Sequence, residues 1–338
     1  MKTLWDMSTI ISSYWGMYAV QTVLHSVIAS VLVDCALLAW NMRTPNVKQW
    51  FRFLVIFLPV VSFPFYQLLA PRRGDVYFRL ESLFDTNKWF FLELWGGIPA
   101  ATVFVVVLGL TSLVFVIQEL VPIVFHMLEQ MREADEPDAE MVEGAVAGKV
   151  SEALEGLPFS EKSVEILNDE DLALFSSTGL HPRIYVSTGL IQSFDVDHLQ
   201  AAFAHEIGHI QRSRKPVLIV AYILRVLMFY NPIAMIEFRK MAQEEEKVCD
   251  DIAVALTGKP GALSEAVEML RPEPEDYNLG TGPRRVGEIA SALEYYSHDV
   301  LLKHRVLRIG QRGQNDSLWG IPYFVTLALI VGINYFVV

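Results

Sequence analysis

His205, Glu206 and His209 are the residues whose types and spacing carry chemistry. In His205-Glu206-Ile207-Gly208-His209 two imidazoles stand four residues apart, so on a helix they share one face, with a carboxylate between them in sequence. That is the first half of a zinc site able to activate water against an amide. A catalytic zinc takes three protein ligands and keeps a fourth position open, so one more donor must come from elsewhere in the chain. Glu246 is the candidate, within Glu244-Glu245-Glu246-Lys247-Val248-Cys249-Asp250-Asp251. Asp250, one turn further on, can accept the second N–H of a ligating histidine and fix its tautomer. Glu206 is then the general base. The plainer alternatives are a core helix with two histidines and a solvated acidic face.

These side chains need two helices and a support. The stretch before the motif, Asp197 to Ala204, has no Gly or Pro, follows Asp195 or Asp197 as an N-cap, and leads into Leu199, Phe203, Ile207 and Ile210 at helical spacing. Glu246 falls in the helix-prone run Ile236 to Leu256. Val164–Leu167, Leu172–Ser176 and Arg183–Ser187 read as short strands bounded by Asn168-Asp169, Thr178-Gly179 and Thr188-Gly189, giving a small sheet against the HExxH helix. Glu129 to Leu157 reads as one or two acidic, Ala-rich helices. Lys259 to Asp299, with Arg271-Pro-Glu-Pro-Glu and Gly280-Thr-Gly-Pro, should include mobile loop, and Arg271 to Arg285 is the expected lid or self-cleavage segment.

The order of Pro182-Arg183-Ile184-Tyr185-Val186-Ser187-Thr188-Gly189-Leu190-Ile191, HEIGH, Asn231-Pro232 and Glu246-Lys-Val-Cys-Asp250 resembles the membrane gluzincin peptidases of the BlaR/MecR type. The resemblance covers about Ser160 to Ala255, and His304-Arg305-Val306-Leu307-Arg308-Ile309 is similar to a short family segment within Leu302 to Ile309. The HtpX and CAAX prenyl protease group, which usually has Ala where Cys249 stands, is the close alternative. The resemblance implies a membrane-embedded zinc endopeptidase, with one zinc ion per chain, that cuts a protein or peptide substrate or its own chain in signalling or regulation. It also implies an edge strand, Leu172 to Ser176, that binds substrate backbone, and Arg305 as a cation for the oxyanion. An HtpX-like quality-control protease and a non-catalytic membrane signalling scaffold are the other readings. The receptors of this family carry a penicillin-binding domain after their last membrane helix and this sequence stops at Val338, so β-lactam sensing is not implied.

Composition agrees with a membrane protein: 52% of residues are hydrophobic and the mean hydropathy is +0.33. Apolar runs at Ser13 to Trp40, Phe51 to Ala70, Ile98 to Phe125 and Trp319 to Val338 are long enough to cross the bilayer as helices. The first lacks a basic n-region and a cleavage site and reads as a retained anchor. Arg43, Lys48 and Arg52, and Lys303, Arg305, Arg308 and Arg312, flank these runs as cytoplasmic clusters, which places the termini outside and the catalytic part in the cytoplasm. A fifth run, Val217 to Ile236, separates ligands that must meet at one ion. It reads as a helix lying in the interface or dipping in and returning, broken at Asn231-Pro232, with Arg225 snorkelling or facing protein; an ordinary buried helix is the alternative.

The expected architecture is an α-helical, multi-pass protein of the inner (cytoplasmic) membrane with a cytoplasmic α+β zincin domain. It has about four transmembrane helices and one membrane-associated helix. Residues 1–126 form the N-terminal membrane domain, 127–318 the metallopeptidase domain with its membrane-associated helix near 217–236, and 319–338 the last transmembrane helix. The lipid bilayer and a protein or peptide substrate are the partners; a net charge of −12 argues against nucleic acid. Cys35 and Cys249 are too few and too differently placed for a disulfide scaffold. His25 and Asp34 stand out as ionisable groups in the first apolar run.

Overall fold

The computed structural model describes residues 13–90, 92–121, 144–177, 181–213, 216–270, 302–309 and 319–338, which are mostly helical with one small sheet. The chain forms two compact units: Met1–Pro137 with Pro216–Glu244 and Asn315–Val338, and Asp138–Lys215 with Glu245–Gln314.

In the first unit the helices Tyr14–Ala39, Pro45–Leu69 and Ala100–Gln118 are long and apolar enough to cross a membrane. Ser13 caps the first by accepting the Gly16 N–H, and Pro45 opens the second at a position where no N–H is needed. The last apolar helix is shorter than expected. Gly320–Tyr335 has 16 residues, about 24 Å at 1.5 Å each, against about 30 Å of hydrocarbon. It stops because the residues after it leave the helix to pair elsewhere: Leu83 N–H donates to the Phe336 carbonyl, and Val338 N–H to that of Phe84.

The run after the HExxH helix is two helices, Pro216–Leu227 and the start of Pro232–Thr257. The break falls at Asn231, whose side-chain oxygen accepts the N–H groups of Ile233 and Ala234 and so starts the second helix. Arg225 faces protein: it is buried, with its guanidinium 4.8 Å from the ring centre of Phe238. Asp34 pairs with Arg52 at 3.3 Å, and Arg52 in turn holds the buried Glu237 at 2.7 Å. His25 is fully buried with Nδ1 2.7 Å from the Ser62 hydroxyl.

The second unit is built around the HExxH helix, Val196–Ser213. Asp195 caps it by accepting the His198 N–H at 2.8 Å. The strands β1 (Val164–Leu167), β2 (Leu174–Ser177) and β3 (Arg183–Ser187) form a sheet in the order β1-β3-β2, with β3 parallel to β1 and antiparallel to β2. Leu199, Phe203 and Ile207 pack with Ile184 and Val186 of β3 and with the helix Gly144–Leu154 in one apolar core. Each such buried side chain contributes about 1.5–3 kcal/mol. Ser187 ties the sheet together: its hydroxyl donates to the Asp171 carbonyl, and accepts from the N–H groups of Ala173 and Leu190. Residues 271–285, the expected lid, and 129–143 of the expected acidic helices lie outside the described residues.

Candidate active site

Two helices of the second unit bring the donors together. The HExxH helix presents His205 and His209 four residues apart, and the part of Pro232–Thr257 that follows Glu244 presents Glu246 and Asp250 one turn apart. The helices meet closely because position 208 is glycine. A Cβ there would lie 3.2 Å from Cys249 Cα and 3.3 Å from its Cβ.

The Nε2 atoms of His205 and His209 are 3.1 Å apart, and each lies 3.5 Å from an oxygen of Glu246. Metal–ligand bonds of about 2.0–2.2 Å at tetrahedral angles give donor separations of roughly 3.3–3.5 Å, so in this triangle the two edges to Glu246 have the length a zinc site requires and the edge between the histidines is slightly shorter. Its chemistry fits as well. Two imidazole nitrogens at this distance share one proton at most, whereas a dication satisfies both lone pairs and the carboxylate. Glu246 remains 37% exposed, which leaves one side open for water and substrate.

Around the triangle the polar groups are arranged by partner. Asp250, almost fully buried, lies 3.0 Å from His205 Nδ1 and receives two hydrogen bonds from Arg305, at 3.0 Å from Nε and 2.8 Å from a terminal nitrogen. The other terminal nitrogen of Arg305 is 3.0 Å from Glu246. Burial alone would push the His205 imidazole down, but the carboxylates of Asp250 and Glu246 hold it up at about 9. Burial works against ionisation of Asp250 too, yet His205 and Arg305 hold its carboxyl at about 2. Glu246 is kept below the usual carboxylate range by His205 and Arg305, again against its burial.

His209 has a different partner: the thiol of Cys249, 3.5 Å from its Nδ1. Burial pushes that thiol up, and Glu245 and Glu246 push it further, so it stays neutral. Nothing in the sequence pointed to this contact beyond the place of Cys249 three residues after Glu246. A second missed pair is Arg212 with Glu245, both buried and linked at 2.7 Å, which joins the end of the HExxH helix to the other helix just before Glu246.

A cleft of about 210 Å³ opens at His205, Glu206 and Arg305 and runs between Leu174, Leu263, Val267 and Leu302. Its far wall is the helix Pro260–Met269, the start of the stretch Lys259 to Asp299 that was expected to include loop. Pro260-Gly261 reads as a turn, but proline also favours the first turn of a helix, and Leu263, Ala266, Val267 and Leu270 have helical spacing.

No curated protein matches this chain. Residues 101–260 match the family model described as BlaR1 peptidase M56, a stretch that contains both helices of the donor triangle. Over that stretch the chain is similar to the BlaR/MecR-type M56 peptidases.

Proposed function

We propose that this protein is a zinc-dependent endopeptidase that cuts a protein substrate, or its own chain, at the cytoplasmic face of the inner membrane in signalling or regulation. The observation that carries the reading is the His205–His209–Glu246 triangle, whose His205 lines a cleft that Glu206 also lines. The family match favours this over an HtpX-like protease. Intact donors and a cleft beside them favour an enzyme over a scaffold.

His205, His209 and Glu246 would hold one zinc ion, which would supply Lewis-acid activation of water and of the scissile carbonyl. Glu206 accepts the proton as the water oxygen attacks the carbonyl carbon, then delivers it to the amide nitrogen as the C–N bond breaks. Asp250 keeps His205 in the tautomer that leaves Nε2 free for the metal. Arg305 lines the cleft and is the cation available to the developing oxyanion, while its bonds to Asp250 and Glu246 fix its position. Leu174 belongs both to the edge strand β2 and to the cleft wall. An extended substrate adding to β2 would therefore lay one side chain in the apolar part of the cleft.

The test is a membrane fraction in which fragments from wild type are compared with those from Glu206→Gln. The variant should retain one zinc per chain and lose hydrolysis by about 100-fold or more. Equal fragment patterns, or absence of zinc from both proteins, would refute the assignment. Cysteines placed near Glu155 should resist an impermeant reagent in intact cells, and labelling there would put the site on the opposite face.

A further inference from the structure

The two histidines of the donor triangle are held unequally. Each turns Nε2 to the other donors, so in the neutral ring that can bind a metal there the proton sits on Nδ1 and needs an acceptor. His205 faces a carboxylate, with Asp250 at 3.0 Å from its Nδ1. His209 faces the sulfur of Cys249 at 3.5 Å. Neighbouring residues on one helix therefore serve two ligands that stand four apart on the other.

Cys249 is fixed where it stands. It is fully buried, and it lies against Gly208, the residue before His209, where a Cβ would come within 3.2 Å of the Cys249 Cα and 3.3 Å of its Cβ. His209 also needs the hold more than His205 does. Its side chain is 25% exposed against 11% for His205, so less packing limits rotation of the ring.

The sulfur is not placed as a ligand. The donors that lie within 4.8 Å of one another are those of His205, His209 and Glu246. Cys249 meets His209 at Nδ1, whereas the nitrogen that faces the other donors is Nε2.

We propose that Cys249 is a positioning residue for His209: its sulfur accepts the Nδ1–H, which fixes the tautomer and the ring plane and leaves Nε2 free for the metal. The inference rests on the zinc reading given above. It gives the sulfur no bond to the ion and no part in moving protons. A thiol accepts less strongly than a carboxylate, so its loss should fall at the lower end of the roughly 10–100-fold that such partners contribute to metal affinity.

The test uses the full chain in detergent and measures zinc affinity by competition with a chromophoric chelator. Cys249→Ala should bind zinc about tenfold more weakly, and Cys249→Ser, whose hydroxyl can accept the same proton, should recover most of the loss. Cys249→Val, which keeps a side chain there without a polar atom, replaces the alanine variant if that folds poorly. Thermal unfolding of the metal-free proteins separates positioning from packing: lowered unfolding temperatures with unchanged zinc affinity would make the cysteine merely structural and overturn the proposal. Cobalt in place of zinc supplies a spectrum. Wild type should show no sulfur-to-cobalt charge-transfer absorption, and the d–d bands should change in Cys249→Ala as His209 loosens. Charge-transfer absorption in wild type that vanishes in Cys249→Ala would make the sulfur a ligand and refute the assignment. Absence of metal from all the proteins, wild type included, would overturn the zinc reading and this inference with it, whereas wild-type zinc affinity in Cys249→Ala sinks this inference alone.

Discussion

Zinc uptake should depend steeply on pH, because His205 carries the proton that the metal must displace. Its imidazole, which burial alone would push down, is held at about 9 by Asp250 and Glu246, so near neutrality the metal-free site is protonated there. Each zinc bound near neutral pH should release about one proton, and apparent affinity should fall about tenfold per pH unit below about 9. Between about pH 9 and about pH 7 that is about 100-fold, or about 3 kcal/mol.

The same ionisation enters folding. The folded value lies above the ordinary 6.5, so the contribution of His205 to metal-free stability is fully present below 6.5 and lost as pH rises through about 9. It amounts to about 3 kcal/mol at most. Asp250 belongs to the same ion pair, which is counted once, and its sign is opposite. Held at about 2, it stabilises above its ordinary 3.8 and that stabilisation is lost as pH falls. The metal-free protein should be most stable in the mildly acidic range between these limits. Calorimetric zinc titrations in buffers of different ionisation enthalpy measure the proton release directly, and Asp250→Asn should reduce it. Zinc binding near neutrality without proton release, or affinity that stays flat up to about pH 9, would refute the reasoning.

Three further outcomes follow from the packing around the site. Gly208→Val forces side-chain atoms against Cys249 and should destabilise the second unit by about 1–3 kcal/mol, with weaker zinc binding, measured by thermal unfolding and metal titration. Arg212→Ala removes the guanidinium from a buried Glu245 and should cost about 3–5 kcal/mol; a loss below about 1 kcal/mol would mean the pair is solvated. Ala266→Phe places a ring in the apolar cleft; it should raise KM for peptides with a large apolar residue beside the cut while zinc content stays at wild-type level, and unchanged peptide kinetics would mean substrate does not enter there.

The sequence alone determined the parts of this protein that local geometry dictates. Residues four apart share a helix face whatever surrounds them, so the pairing of His205 with His209 and of Glu246 with Asp250 was legible from spacing. Apolar runs of sufficient length marked the helices Tyr14–Ala39, Pro45–Leu69 and Ala100–Gln118, and Asn231-Pro232 marked the break before the third-ligand helix. The strand residues 164–167 and 183–187 were bounded by their own turn signals, while β2 begins two residues later than its pattern suggested, where pairing with β3 starts.

Tertiary structure decided what each face meets. A period of 3.6 says that one side of a helix is apolar but not which neighbour covers it, so the thiol of Cys249 against His209 could not be read from the chain. Nor could the hold of Arg305 on Asp250, which joins residues 55 positions apart. The Pro260–Met269 helix was hidden because Pro-Gly is ambiguous between a turn and a helix start, and its packing on the HExxH helix resolves the ambiguity. The last apolar helix is cut short by hydrogen bonds to residues 83–86, about 250 positions earlier in the chain, which no local pattern records.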